Sequence, residues 1–331
     1  MKAFELARPV TLDQALQELE KDSAKRDRTK LFAGGQDLVT ELKEHLVEPD
    51  KLVDLKRIPG LDRIEVQPDG SLVIGCLVTL ATLAEHAETK NFFTALAEAA
   101  RSVGSAQIRS QGTVGGNLNQ RPRCWYYRHE LAPCLKKGGS ECYAYAGLNK
   151  YNAILGGGPS YIVHPSDLAP ALVAFDAEVT LRGAKGERKL ALEEFYTLPA
   201  EADVTRETVL APDEILTHVR VPAKPGWSST YVKFKERGSY DFALASVAVA
   251  VRAAGSPRTI QDARLVLGGV APKPWNVPKA AEALLGIDGV KTWTAAGNRA
   301  VAGAEPLAHN AYKVPLVKGL ILQAMEALAK R

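Results

Sequence analysis

Lys30-Leu31-Phe32-Ala33-Gly34-Gly35-Gln36-Asp37-Leu38-Val39 sets the frame for the chain. Leu31 and Phe32 read as the end of a short apolar strand. The paired glycines break it, and Leu38, Leu42 and Leu46 recur at helical spacing beyond them. Upstream, Leu12, Ala15, Leu16 and Leu19 mark an amphipathic helix, with Thr11 as N-cap and Gln14 completing a capping box. Downstream, Leu52-Val53-Asp54-Leu55 reads as another strand. Residues 1–57 therefore predict a small β-α-β unit with the glycine turn at its centre. Such a turn lets a ligand approach the backbone closely, and its N–H groups suit a phosphate.

A second turn of this kind is Gly112-Thr113-Val114-Gly115-Gly116-Asn117-Leu118. There Thr113 and Asn117 add side-chain donors. Singly, paired glycines in a tight turn are structural far more often than not. Two in one chain suit a dinucleotide pyrophosphate held from two sides. No G-x-G-x-x-G follows a strand, which disfavours an ordinary Rossmann site.

Between the turns, Ile64-Glu65-Val66 and Leu72-Val73-Ile74-Gly75, joined through Pro68-Asp69-Gly70, predict a hairpin. Helical segments are expected near 80–87 and 92–102. Residues 121–160, rich in Gly, Tyr, Arg and Cys and without a period, read as a long irregular loop, and such loops are usually functional. Beyond it come a strand at 161–163, a helix at 167–175 and a strand at 178–182. A charged, Pro-containing linker follows, roughly 183–212. Strands are expected at 214–222, 230–236, 244–252 and 262–268, and helices at 278–286, 291–303 and 313–329. The expected boundary lies near residue 180.

Composition narrows the function. A chain of 331 residues exceeds one small core. Its net charge of +4 is mild and its Lys and Arg are mixed with Asp and Glu, so no nucleic-acid footprint is seen. No apolar run reaches the roughly 18 residues of a membrane span. The first residues lack the apolar core of a signal peptide, so the expected location is the cytoplasm, or the periplasm by co-export with a partner. Four cysteines are too few for a disulfide scaffold. Cys76 stands apart, while Cys124, Cys134 and Cys142 cluster.

The ordered set A-G-G-x-D-L (33–38), I-G-x-L-V-T-L (74–80), T-V-G-G-N-L (113–118) and H-P-S-D-L-A (164–169) resembles the FAD-binding medium subunit of the xanthine dehydrogenase, carbon monoxide dehydrogenase and aldehyde oxidoreductase family. Asp213-Glu214-Ile215-Leu216, Phe234-Lys235-Glu236-Arg237 and Leu267-Gly268-Gly269-Val270-Ala271 extend the match over essentially the whole chain. The resemblance implies an α+β fold: a vanillyl-alcohol-oxidase-type FAD-binding region of two subdomains (1–57 and 58–180), then a C-terminal domain (181–331) with a three-stranded antiparallel sheet on helices. By this match Phe32, Ala33, Gly34, Gly35, Gln36, Asp37 and Leu38, with Thr113, Gly115, Gly116 and Asn117, wrap the pyrophosphate. Asp167 would bond the ribityl or adenosine part of FAD, or cap a helix. Ile215 and Leu216 would pack near the isoalloxazine, and Lys235 would bond its carbonyl edge or be a solvated strand lysine.

About fifty residues separate Asn117 from Asp167. The excess resembles the insertion that carries a [4Fe-4S] cluster in the aldehyde oxidoreductase and 4-hydroxybenzoyl-CoA reductase branches. Thiolates hold such clusters, and Arg121, Arg123, Arg128, Lys136, Lys137 and Lys150 would offset their charge. Where the related loops place a fourth cysteine, this chain has Ser160. Three outcomes are open: Ser160 ligates through oxygen, another non-cysteine ligand completes the cluster, or the thiols are free. Zinc on the three cysteines and His129 is a further alternative.

His164 reads as a structural residue, and Ser166 with Asp167 and His164 lacks the elbow of a hydrolase triad. Tyr240-Asp241-Phe242 fits either a place near the flavin or core packing, and Arg109 fits either a pyrophosphate contact or partner docking. The implied function is an electron-transfer subunit. A molybdopterin-binding large subunit oxidises an aldehyde or N-heterocycle, a small subunit passes the electrons through [2Fe-2S] clusters to FAD, and FAD delivers them to an external acceptor. The alternatives are a stand-alone flavin-dependent oxidoreductase of the same fold, and a scaffold subunit that has lost FAD. The chain has no molybdopterin motif and no C-x-x-C pairs, so it is not expected to hydroxylate a substrate alone.

Overall fold

The computed structural model describes every residue except 20, 22, 239, 257 and 331. Three sheets follow one another along the chain. The first is parallel, with strand order β1-β3-β2, from β1 (Glu5–Ala7), β2 (Thr29–Phe32) and β3 (Lys51–Asp54). Helix α1 (Leu12–Gln17) enters from its N-cap Thr11, whose Oγ1 accepts the Gln14 N–H at 3.2 Å. The Gln14 side chain accepts from Val10, one residue earlier than in the usual reciprocal box. Helix α2 (Leu38–Lys43) leaves the first glycine turn.

The second sheet is antiparallel, of order β4-β5-β8-β6-β7: β4 (Ile64–Val66), β5 (Leu72–Gly75), β6 (Glu178–Gly183), β7 (Gly186–Ala191) and β8 (Glu214–Val221). Between β5 and β6 run short helices: α3 (Leu80–Glu85), α4 (Ala87–Phe92), α5 (Thr94–Ser102), α6 (Ala106–Gln111), α7 (Val114–Leu118), α8 (Trp125–Arg128) and α9 (Leu168–Ala174). Helix α10 (Leu192–Phe195) follows β7. One core joins the first two sheets. Val53, Leu72, Ile74, Leu83, Leu96, Leu172 and Phe175 are all buried in it, and the Phe93 and Phe175 rings meet edge-on at 5.2 Å.

The expected boundary near residue 180 falls inside β6 and needs correction. A linker could not replace β6 and β8, because β8 hydrogen-bonds to both β5 and β6. The second sheet closes only at Val221, and the break lies between β8 and the next strand. Residues 183–212 are likewise not a plain linker, since they hold β7 and α10.

The third sheet is built on β9 (Trp227–Phe234), β10 (Ala245–Ala254) and β11 (Thr259–Gly268), all antiparallel, with two-residue edges β12 (Trp275–Asn276) and β13 (Gly286–Ile287). Residues 245–251 of β10 are buried at every position rather than alternately. Val247, Val249 and Val251 face the helices α11 (Pro278–Leu284), α12 (Val290–Ala300) and α13 (Lys313–Ala329), while Ala248 faces the core of the first two sheets. A strand covered on both faces needs no polar alternation. Val317, Leu320, Ile321, Ala324, Met325 and Leu328 form the apolar stripe of α13. Among the described residues no helix is long and apolar enough to cross a membrane.

Candidate functional site

The two glycine turns lie against each other. Gly34 packs so tightly on Gln111, the last residue of α6, that a β-carbon there would overlap the Gln111 carbonyl. Gly35 takes φ +71°, which favours glycine. The Phe32 ring lies beneath it, and the Lys56 ammonium stands 4.3 Å from that ring's centre. Around this contact opens a cavity of about 780 Å³, within the range of a small-molecule or cofactor site.

Twelve of the fifteen residues expected to touch a cofactor line it: Ala33, Gly34, Gly35, Gln36, Asp37, Leu38, Thr113, Gly115, Gly116, Asn117, Asp167 and Leu216. Phe32, Ile215 and Lys235 do not. Phe32 is the support under Gly35. Ile215 is fully buried in the core, because Glu214 and Leu216 on either side take the cavity face of β8. Lys235 follows the last residue of β9, whereas Lys233, inside the strand, lines the cavity.

Donors are distributed unequally. None of the N–H groups of Gly34, Gly35, Gln36 and Asp37 donates to another described residue. In the second turn they are spent: Val114 on Val78 O at 2.9 Å, Gly115 on Cys76 O at 2.8 Å, Gly116 on Thr113 Oγ1 at 3.2 Å, and Asn117 on Thr113 O at 2.8 Å. What the second turn offers the cavity is side chains. The Thr113 hydroxyl proton is one donor. Asn117 holds the Ser166 hydroxyl through Oδ1 at 2.5 Å, which leaves its Nδ2 to donate.

At another part of the wall Asp167 is nine-tenths buried. It does not cap α9; the Ser166 hydroxyl does, accepting from the Ala169 N–H at 3.0 Å. Asp167 instead accepts from Tyr231 Oη at 2.6 Å and from the Lys233 ammonium at 2.7 Å. Lys233 also donates to Ser102 O. Burial, and then the Asp167 carboxylate, hold the Tyr231 phenol well above its ordinary range, so it stays a donor. Tyr240, Asp241 and Phe242 line the cavity as well. Arg109 does not; it donates to the carbonyls of Val103 and Gly104 on its own loop.

The front of the cysteine loop is bound to the first turn. Asp37 accepts the Arg121 N–H at 2.7 Å and the Arg128 guanidinium at 2.8 Å, and it forms an ion pair with the Arg123 guanidinium at 2.9 Å. Tyr127 Oη donates to Glu41 at 2.9 Å, and Glu207 takes both Arg121 at 3.0 Å and Lys136 at 2.8 Å. Desolvation opposes the charge of Arg121, but Glu207 and neighbouring groups outweigh it and raise its pKa. Burial lowers the pKa of Lys136 against the pull of Glu207 and raises that of Glu41. Arg121, Arg123, Arg128 and Lys136, expected to offset a cluster, are thus engaged with carboxylates outside the loop.

Behind Tyr127 and Lys136, which line both spaces, is a small chamber lined by Cys124, Cys134, Cys142 and Ser160. Its free volume is about 10 Å³. The Asn152 amide donates toward Cys124 Sγ at 3.6 Å and the Tyr161 N–H toward Cys142 Sγ at 3.5 Å. Cys134 is 5% exposed, and burial raises its thiol pKa. Ser160 is 1% exposed and its Oγ has no hydrogen-bond partner. Cys76 is elsewhere, in the cavity wall under Gly115, its thiol pushed up by burial to about 12. The zinc alternative does not fit. His129 is exposed and does not line the chamber. Among the described residues no three His, Cys, Asp or Glu converge closely enough for a single ion.

His164 is buried with its ring 4.6 Å from that of Tyr196, and burial pushes its pKa down to about 3. A neutral ring with an unpartnered Nε2 and no route to the cavity fits packing, not catalysis.

Comparison with known proteins agrees with this geometry. Residues 2–224 match the FAD binding domain in molybdopterin dehydrogenase, and residues 229–328 the CO dehydrogenase flavoprotein C-terminal domain. The sequence is 37% identical to the aldehyde oxidoreductase FAD-binding subunit PaoB of Escherichia coli, over 87% of this chain and 88% of that one. It is 27% identical to the glyceraldehyde dehydrogenase medium chain of Sulfolobus acidocaldarius, over 86% and 81%. In three dimensions it superposes on a chain of carbon monoxide dehydrogenase from Hydrogenophaga pseudoflava with TM-score 0.73 and 26% identity, covering 98% of this chain and 96% of that one. The turns, the cavity between them and the two matched domains together place this chain in the family of FAD-binding subunits of the molybdenum hydroxylases.

Proposed function

We propose that this subunit works in an assembly in which a molybdopterin-bearing large subunit oxidises an aldehyde and a small subunit relays the electrons through [2Fe-2S] centres to the FAD held here. The observation that carries the reading is the cavity between the two turns, with free N–H donors on one side and a buried Lys233–Asp167 pair in its wall. FAD, when bound, supplies a carrier that takes up electron pairs and also exchanges single electrons with clusters. The chain's own residues bind and position it. The N–H groups of Gly34, Gly35, Gln36 and Asp37, the Thr113 hydroxyl and the Asn117 amide are suited to the pyrophosphate. Lys233, in place of Lys235, is suited to the flavin's carbonyl edge, with Asp167 fixing the ammonium. Names of the relatives favour an aldehyde: two of them are an aldehyde oxidoreductase subunit and a glyceraldehyde dehydrogenase chain.

The donor set of the chamber supports a [4Fe-4S] cluster on Cys124, Cys134 and Cys142. Thiols that cannot share one ion can each serve a different iron of a polynuclear cluster. A cubane needs more than the present 10 Å³, so the chamber must widen to take it; Cys124 and Cys142, at its edge, are only half-buried.

The test is anaerobic mixing of the FAD-loaded chain with an aliphatic or aromatic aldehyde, alone and assembled with its partners. Bleaching of the flavin band only in the assembly is expected. Bleaching of the isolated chain would replace this reading with that of a stand-alone flavin oxidoreductase.

A further inference from the structure

We propose that Ser160 supplies, through its deprotonated hydroxyl, the fourth ligand to the iron–sulfur cluster of the cysteine loop. The inference rests on the cluster reading above and concerns only the position where a fourth thiolate is missing.

Ser160 is one of four potential ligands around one chamber, with Cys124, Cys134 and Cys142. It is 1% exposed, and its Oγ meets no donor or acceptor. A buried hydroxyl without a partner is rare, because burial without a hydrogen bond is costly. Here the lone hydroxyl lines the same chamber as thiols from three other parts of the loop.

The backbone also keeps it there. The Tyr161 N–H points at Cys142 Sγ, and the Tyr161 carbonyl accepts both the Ala153 N–H at 2.9 Å and the Asn152 amide at 2.9 Å. Asn152 extends the same amide toward Cys124 Sγ. N–H groups directed at two of the sulfurs are the usual outer support of thiolate ligands and tune a cluster's potential. That support and the backbone beside Ser160 share one strut, Asn152–Tyr161, so the segment that carries the serine is tied to the groups that face the sulfurs.

Ligation breaks the Ser160 O–H bond and forms an Fe–O bond. The proton combines with a hydroxide displaced from that iron and leaves as water, and no oxidation state changes. Oxygen is a harder donor than sulfur and favours the ferric state. The cluster should therefore be harder to reduce than an all-thiolate one, and its serine-bound iron the most easily lost.

The experiment compares the full chain with Ser160→Ala and Ser160→Cys, each reconstituted anaerobically with ferrous iron and sulfide. Iron, sulfide and flavin per chain are measured, with EPR before and after mild oxidation and a redox titration. The wild type is expected to hold a four-iron cluster. Ser160→Ala should lose one iron in four on mild oxidation and show the oxidised three-iron EPR signal. Ser160→Cys should keep all four and titrate at a higher potential. An alanine variant that keeps four irons and the wild-type potential overturns the ligand assignment. If alanine abolishes folding, seen as loss of flavin, a cysteine variant with the wild-type potential overturns it equally. A wild type that binds flavin but no iron, or zinc instead, overturns the cluster itself and leaves the flavin reading standing.

Discussion

Gly34 shows how much one residue's missing side chain decides. Its role was expected to be contact with a phosphate, yet the structure gives it a second one: it lets the first turn seat on the Gln111 carbonyl of the other. That long-range contact has no signature in a local motif. Gly34→Ala must push the turns apart, and overpacking of this kind costs about 1–3 kcal/mol. We expect FAD affinity to fall about tenfold or more, read as flavin bound per chain after gel filtration. His164 makes a different prediction. Its folded pKa of about 3 lies below the 6.5 of an unfolded histidine. Between those values the unfolded chain holds the extra proton, so stability falls as pH drops through the window. The loss is about 1.4 kcal/mol per pH unit, hence about 2 kcal/mol between pH 6.5 and 5. Denaturant titrations at pH 7 and pH 5 should show it, and His164→Gln should remove that difference while lowering stability at both. The sequence pointed to Lys235 and the cavity wall holds Lys233, because the two look alike in sequence. Only the strand's end at Phe234 and the partner Asp167 separate them.

At the scale of elements, local chemistry was readable and non-local pairing was not. The capped helix α1, the β4–β5 hairpin and α13 followed from N-cap, turn and 3.6-residue signals. The boundary near residue 180 did not survive, because β6 and β8 find their partners across a long excursion that composition cannot reveal. Nor could charge counting show that the loop's arginines bind Asp37 and Glu207, far away in sequence. The start of α13 is another such case. Lys313 is fully buried and gives its three protons to the carbonyls of Tyr151, Asn152 and Gly269 at 3.0, 3.0 and 2.7 Å. This ties the end of the cysteine loop to the C-terminal sheet and helix. Lys313→Met leaves the Tyr151 and Gly269 carbonyls unpaired, while the Asn152 carbonyl keeps the Asn310 amide at 3.1 Å, at about 1–3 kcal/mol for each group left unsatisfied. The melting temperature should drop by several degrees, and proteolysis should begin within residues 149–155. Unchanged melting would show that the loop is held by other means.

For the whole molecule, the order of motifs along the chain was more informative than any one of them. Turn, hairpin, turn and H-P-S-D each occur in unrelated proteins; in this order they frame one cavity. What no reading of order could supply is that Tyr127 and Lys136 form a common wall between that cavity and the thiol chamber. Asp37 belongs to this architecture as well. It lines the large cavity and is paired with the backbone N–H of Arg121 and the guanidiniums of Arg123 and Arg128 on the cysteine side. For the flavin and the cluster proposed above, a group shared in this way makes occupancy of the two spaces thermodynamically reciprocal: by whatever free energy flavin bound at Asp37 changes the loop's affinity for iron, the loaded loop changes the affinity for flavin by the same amount.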